Sequence, residues 1–190
     1  IFDVIIVGGG MVGLSMALLL ARGIGQDSGF KLALVDGQKT GQNVVKRQRQ
    51  RPPAANENIS RFSPRVSALS HASQTLFESL ELWQTSIAPH ACPYENMYVW
   101  DAEGTGNINF SALDIHQSNL GHIVENNVIT EALLEALTLH TNLKLFNESQ
   151  VSAYQAQAEY QTICLEDGTE LQSNLIIAAD GANSFIRQEA

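Results

Sequence analysis

Three glycines near the start of the chain, Gly8, Gly10 and Gly13, stand in G-x-G-x-x-G spacing within "DVIIVGGGMVGLSMALLLA", residues 3–21. That spacing can hold a pyrophosphate. The first glycine permits a tight turn from strand to helix. The second has no side chain, so a phosphate can approach the backbone, and the third lets helix and strand pack closely. The helix that follows points free N–H groups and the positive end of its dipole at the anion. Asp36 supplies an acid at the end of "KLALVD", 23 residues after Gly13. This is close to the roughly 20 expected for the carboxylate that hydrogen-bonds a ribose hydroxyl. A carboxylate there repels a 2′-phosphate, which disfavours the adenosine of NADP. Glycine turns also join strands to helices for purely structural reasons, so this motif alone leaves that reading open.

A second stretch, "LIIAADGANSFIR", residues 175–187, carries the other half of the pattern. Asp180 follows a buried apolar run, at the carboxyl end of a strand, where open α/β sheets place ligands. Gly181 lets the backbone turn toward a phosphate, and Ser184 and Arg187 lie on the helix beyond. The plain alternative is an Asp-Gly turn with a solvated arginine. The two motifs strengthen each other because both would border one nucleotide site.

The elements that must position these residues follow from the pattern of apolar positions. Residues 3–7 read as a buried strand, 11–22 as a helix and 31–36 as a second strand, which together make a βαβ unit. Residues 37–61 are polar, carry Pro52-Pro53, and predict an exposed, mobile loop. Within it "KRQRQR", residues 46–51, holds four of the eleven lysines and arginines. It reads as a solvated segment, with contact to anionic headgroups or a partner protein as the minor alternative.

Order resumes at residues 62–69. Ser70 is a plausible cap for a helix through about Trp83, with Ala72, Leu76, Phe77, Leu80 and Trp83 on its apolar face. Residues 94–115 predict an antiparallel hairpin from "YENMYVW" and "INFSAL", and residues 127–139 an amphipathic helix. Short strands are expected at 143–146, 150–155, 160–165 and 170–173, and a last buried strand at 174–179. The fold class is therefore α/β: a Rossmann-like domain with inserted antiparallel β elements.

Composition narrows the function. The 190 residues carry a formal charge of −9, which argues against nucleic-acid binding, since a phosphate-binding surface needs excess cation. Cys92 and Cys164 are far apart and fit no motif, as expected of reduced thiols in a cytoplasmic protein. The five histidines show no metal-ligand spacing, so no metal site is expected. No apolar run reaches the roughly 18–20 residues of a membrane span.

The paired glycine and Asp-Gly motifs resemble those of the flavoprotein aromatic hydroxylases, the para-hydroxybenzoate hydroxylase-like monooxygenases that bind FAD. Four collinear blocks, "VGGGMVGL", "RVSALSHAS", "LGHIVEN" and "ADGANSFIR", are similar to the ubiquinone-biosynthesis hydroxylase branch, which includes the VisC-like ring hydroxylases. The resemblance implies that Gly8, Gly10, Gly13, Asp36, Asp180 and Gly181 bind FAD. Arg65 matches an arginine that meets the cofactor near its pyrophosphate, a surface ion pair being the alternative. Asn126 matches a longer polar residue of relatives near the flavin chain, and a helix-cap role is equally open.

The implied activity is a monooxygenase that uses NAD(P)H and O₂ to hydroxylate the ring of a polyprenylated phenol or quinol. Such a substrate lives in a membrane, so peripheral membrane contact and other ubiquinone-biosynthesis proteins are the expected partners. The oxygen transfer needs no acid–base pair from the protein, and no catalytic residue is singled out. The chain contains no Gly-Asp dipeptide, the later fingerprint of the family. It is therefore expected to be the FAD-binding, N-terminal part of a longer flavoprotein, inactive alone, with residues 94–115 starting its substrate-domain β elements. The competing readings are an NAD-dependent dehydrogenase and a non-catalytic nucleotide-binding scaffold in a biosynthetic complex. Regular strand–helix alternation fails after Asp36, which disfavours the dehydrogenase.

Overall fold

The computed structural model describes residues 1–25, 28–37 and 63–190. The loop expected at 37–61, with "KRQRQR", lies outside the described residues apart from Gly37. In chain order the first elements are β1 (Phe2–Val7), α1 (Met11–Ile24), β2 (Leu32–Asp36), β3 (Val66–Ser70), α2 (His71–Ser79), β4 (Cys92–Tyr94), β5 (Asn96–Trp100) and β6 (Asn107–Ser111). Then come β7 (Gly121–Glu125), α3 (Asn126–Leu137), β8 (Leu143–Asn147), β9 (Val151–Ala156), β10 (Gln161–Leu165), β11 (Glu170–Ala178) and α4 (Phe185–Glu189). The chain divides into two compact units, one of Ile1–Asn56 with Leu133–Ala190 and the other of Glu57–Ala132.

The first unit is built on a six-stranded sheet in the order β8-β2-β1-β11-β10-β9. β8, β2, β1 and β11 run parallel, while β10 and β9 are antiparallel. Val4–Val7 and Leu32–Val35 are all buried, as parallel strands covered on both faces require. α1 buries Leu14, Ala17, Leu18 and Ala21 and turns Val12 and Met16 outward. A core cluster of Ile5, Val7, Ala33, Val35, Ile163 and Leu171 extends to Ile186 of α4.

One expectation needs correction here. The strands expected at 170–173 and 174–179 are a single strand, β11, and its later part is not the buried strand expected, since Asn174, Leu175 and Ala178 are exposed. Its first residues pair with β10 and its later ones with β1, and Ser173 meets both Gln161 and Phe2. The polar run Gln172-Ser173-Asn174 reads as a break. Yet Ser173 is fully buried and its hydroxyl donates to the Leu175 carbonyl, 3.0 Å away, so the strand continues without an orphaned polar group.

The second unit holds a three-stranded antiparallel sheet, β3-β7-β4, and the β5–β6 hairpin. The hairpin appears where the alternation put it, but Tyr94 belongs to β4 and pairs with β7. Ser70 caps α2 as expected, accepting from the Ser73 N–H. The helix ends at Ser79, short of Trp83, because Glu81 takes a left-handed backbone conformation (φ 57°) and a π-helical turn follows over Trp83–Ile87. Phe77, Leu80 and Trp83 are nonetheless buried. Leu76 is half-buried and Ala72 is exposed, so only the later part of the expected apolar face is covered.

His122 of β7 stands edge-on against Trp83, ring centroids 5.1 Å apart, and its Nδ1 is buried without a hydrogen-bond partner among the described residues. Burial, and then the neighbouring His71, hold its pKa below the ordinary 6.5. The unfolded chain therefore binds more protons than the folded one below about pH 6.5. The stabilising contribution of this residue is complete above that pH and is lost as pH falls toward the folded-state value. Urea unfolding at pH 7.5 and pH 5.5 is expected to show lower stability at the acid pH. The pH dependence should shrink in His122→Gln.

Candidate functional site

The register of three parallel strands brings the two sequence motifs together. Val7 of β1 lies beside Val35 of β2 on one side and Ala178 of β11 on the other. The carboxyl ends of all three strands therefore share one edge of the sheet. The Gly8 N–H donates to the Val35 carbonyl (2.8 Å), and the Ala179 N–H donates to the Val7 carbonyl (2.7 Å). Gly8 and Asp180 thus sit side by side although they lie at opposite ends of the chain.

The glycines of the turn are required for different reasons. Gly8 has φ +112°, and a Cβ there would run into the Ala179 carbonyl and stand 2.7 Å from the Asp180 nitrogen. A Cβ on Gly13 would overlap the Gly8 carbonyl, so α1 can approach β1 only without one. A Cβ on Gly9 would meet the Asp36 carboxylate, which places that acid against the turn. Gly10 differs from all of these. Its backbone (φ −74°, ψ 176°) suits any residue, and a Cβ there would meet nothing within 4 Å among the described residues. Gly10 is also the N-cap of α1, so no cap side chain accepts from the first turn, and that turn contains no acid. No neighbour among the described residues explains the glycine at position 10. The requirement fits a group approaching the helix end from outside.

Asp180 has two roles divided between its oxygens. Oδ2 accepts from the N–H groups of Phe185 (2.7 Å) and Ile186 (3.4 Å) at the start of α4. Oδ1 is buried and has no hydrogen-bond partner among the described residues. A buried carboxylate oxygen without a donor is costly, and it marks a place where a ligand donor fits. Gly181 turns with φ +88°. Ser184 and Arg187 serve the turn itself: the Ser184 hydroxyl accepts from the Arg187 N–H (3.0 Å), and the Arg187 guanidinium donates to the Ala182 carbonyl (2.6 Å).

The remaining two site residues lie in the second unit, at one end of the β3–β7 ladder. The Asn126 N–H donates to the Arg65 carbonyl (3.0 Å). The Arg65 side chain is exposed. Asn126 opens α3, and its Oδ1 accepts the Ser67 hydroxyl (2.6 Å). Among the described residues no cluster of histidine, cysteine, aspartate or glutamate could hold a metal ion. None of the helices there is long and apolar enough to cross a membrane.

Residues 2–190 match the family model described as an FAD binding domain. The chain belongs to that family. This decides the nucleotide between FAD and NAD. Among curated proteins the FAD binding domain is 32% identical to the 3-demethoxyubiquinol 3-hydroxylase of Escherichia coli, over 99% of this chain and 43% of that protein. It is also 32% identical to the ubiquinone biosynthesis monooxygenase COQ6 of Danio rerio, over all of this chain and 38% of that protein. The chain thus spans about two fifths of the length of these relatives. Among solved structures it resembles p-nitrophenol 4-monooxygenase PnpA from Pseudomonas putida (TM-score 0.68, 18% identity, all of this chain and 43% of that one). The flavin-dependent monooxygenase PieE, solved with FAD and substrate, is equally similar (TM-score 0.68, 19% identity, 99% of this chain and 31% of that one). At these identities the two structures speak for the fold.

Proposed function

We propose that this chain is the FAD-binding part of a monooxygenase that hydroxylates the ring of a polyprenylated phenol or quinol in ubiquinone biosynthesis, with NAD(P)H and O₂ as co-substrates. The observation that carries the reading is the 32% identity, across essentially the whole chain, to two ubiquinone-pathway oxygenases from a bacterium and a fish. When bound, FAD supplies the redox chemistry, taking hydride from the nicotinamide and reacting with O₂.

The chain's own residues bind and orient. The uncapped first turn of α1 presents N–H groups and its dipole to the pyrophosphate, and Gly10 leaves room for it. Gly8 and Gly13 fix that turn against β1 and β11. Asp36, held beside Gly9, accepts a hydrogen bond from the adenosine ribose. Asp180 pins the start of α4 with one oxygen and keeps the other for a cofactor donor, while Gly181 lets the backbone turn toward the phosphate. Arg65 offers an exposed guanidinium suited to phosphate, and Asn126 offers its amide nitrogen, its oxygen being engaged with Ser67. The substrate is met peripherally at the membrane.

The test uses the full-length protein that carries this domain. Purified protein should show a bound flavin spectrum, oxidise NAD(P)H in the presence of a prenylated phenol, and give a product one oxygen heavier. A flavin-loaded protein that oxidises NAD(P)H without forming hydroxylated product would refute the assignment.

A further inference from the structure

Four parallel strands end on one edge of the first unit's sheet, in the spatial order β11, β1, β2, β8. That order matches the order of groups along a dinucleotide. Asp180 follows β11, the glycine turn after β1 receives the pyrophosphate, and Asp36 closes β2 and meets the ribose. In a nucleotide the phosphate and the base leave opposite sides of the ribose ring. With the phosphate over β1, the adenine is carried the other way, one strand spacing of about 4.8 Å further on, to the end of β8.

β8 ends at Asn147, which pairs in register with Asp36. Partners in register project their side chains to the same face. The preceding pair, Val35 and Phe146, packs on the core cluster, so Asp36 and Asn147 point to the opposite face, where the Asp36 carboxylate lies against Gly9. The turn after β8 is tied to the same two residues. Glu148 takes a left-handed conformation (φ 53°). The Ser149 N–H donates to the Asp36 carbonyl (2.9 Å), and the Ser149 hydroxyl donates to the Asn147 carbonyl (3.0 Å). The backbone of Asn147 is thus held in place. Its side chain is exposed, and its amide makes no hydrogen bond among the described residues.

A carboxamide is complementary to adenine. Its oxygen accepts from the 6-amino group while its NH₂ donates to the neighbouring ring nitrogen, the pairing that asparagine makes with this base in DNA. We propose that Asn147 reads the adenine of the cofactor in this way. Asp36 holds a ribose whatever base it carries, and Asn147 supplies the selection for adenine. The proposal rests on FAD lying along this edge, as in the function proposed above.

The experiment titrates the full-length protein, stripped of flavin, with FAD and with an FAD analogue whose adenine lacks only the 6-amino group, followed by flavin fluorescence. Wild type should bind the analogue roughly tenfold more weakly, since one hydrogen bond goes unmade. Asn147→Ala should bind FAD roughly tenfold more weakly than wild type does, and should bind FAD and the analogue within about twofold of each other. Its urea midpoint should match that of wild type, because the amide engages nothing among the described residues. Gln150→Ala, which removes the amide next to Gly37, should keep the wild-type preference. A wild-type protein indifferent to the amino group overturns the proposal, as does an Asn147→Ala protein that still discriminates. Loss of the preference in Gln150→Ala moves the reading of the base to that residue and overturns it too. So does a lowered urea midpoint in Asn147→Ala, which would make the residue part of the packing. If wild type binds neither flavin, the cofactor reading itself fails and the proposal falls with it. Hydroxylation is not measured, so an error in the substrate class leaves the result standing.

Discussion

Gly10→Ala should leave the protein folded and nearly colourless. The backbone at position 10 lies where alanine is at ease, and the new methyl meets no atom of the described residues within 4 Å. Alanine is a poorer N-cap than glycine, but it also lowers the entropy of the unfolded chain, so the net change should be under about 1 kcal/mol. The methyl would fill the space through which a pyrophosphate approaches the first turn of α1. FAD affinity should fall by roughly tenfold or more, about 1.4 kcal/mol at the least. Gly13→Ala is the contrasting case. Its methyl overlaps the Gly8 carbonyl, a backbone atom that cannot swing aside, so α1 must shift from β1. Overpacking of this kind costs about 1–3 kcal/mol, and that variant should lose stability and cofactor together. Urea midpoints combined with titration of FAD fluorescence separate the two outcomes. A Gly10→Ala protein that binds FAD as tightly as wild type would remove the main support for a cofactor at this turn.

The contrast between Gly10 and Gly13 also shows what could be read from the chain in advance. G-x-G-x-x-G spacing, the apolar run of β1 and the acid closing β2 are local patterns, and the βαβ unit lies where they put it. The pairing of Gly8 with Asp180 is not local. It depends on β11 lying parallel to β1 in a register that sets Val7 against Ala178, and no short window of sequence encodes a partner strand so distant in the chain. The resemblance of the two motifs to a known family pointed to it instead.

Where the reading failed, a local exception won. α2 stops early because Glu81, not a glycine, adopts a left-handed conformation. β7, unforeseen as a strand, is only five residues long and contains His122 and Glu125, so its alternation is too brief to stand out. The division of labour within Asp180 could not be read either. An aspartate shortly before a helix announces a cap, but only the structure shows that one oxygen is left over.

That leftover oxygen can be tested without disturbing the helix it helps to start. In Asp180→Asn the amide oxygen can replace Oδ2 as acceptor for the Phe185 and Ile186 N–H groups. The reverse orientation would set an NH₂ against those donors, so it is disfavoured. The NH₂ then occupies the place of Oδ1, and a buried acceptor becomes a donor. α4 should hold, with a stability change within about 1 kcal/mol, since a neutral cap is about as good as a charged one. If Oδ1 serves a hydroxyl or N–H of the bound cofactor, the variant opposes donor to donor and loses a charge-assisted bond. Such bonds contribute about 1.5–3 kcal/mol, so FAD affinity should fall by roughly ten- to a hundredfold. Asp180→Ala removes both functions and should lose stability as well as cofactor. The Asn variant is the decisive one: a stable fold with weakened FAD binding assigns the oxygen to the cofactor. A stable fold with unchanged binding would make Asp180 a helix cap alone, and the Asp-Gly turn a structural feature of the sheet edge.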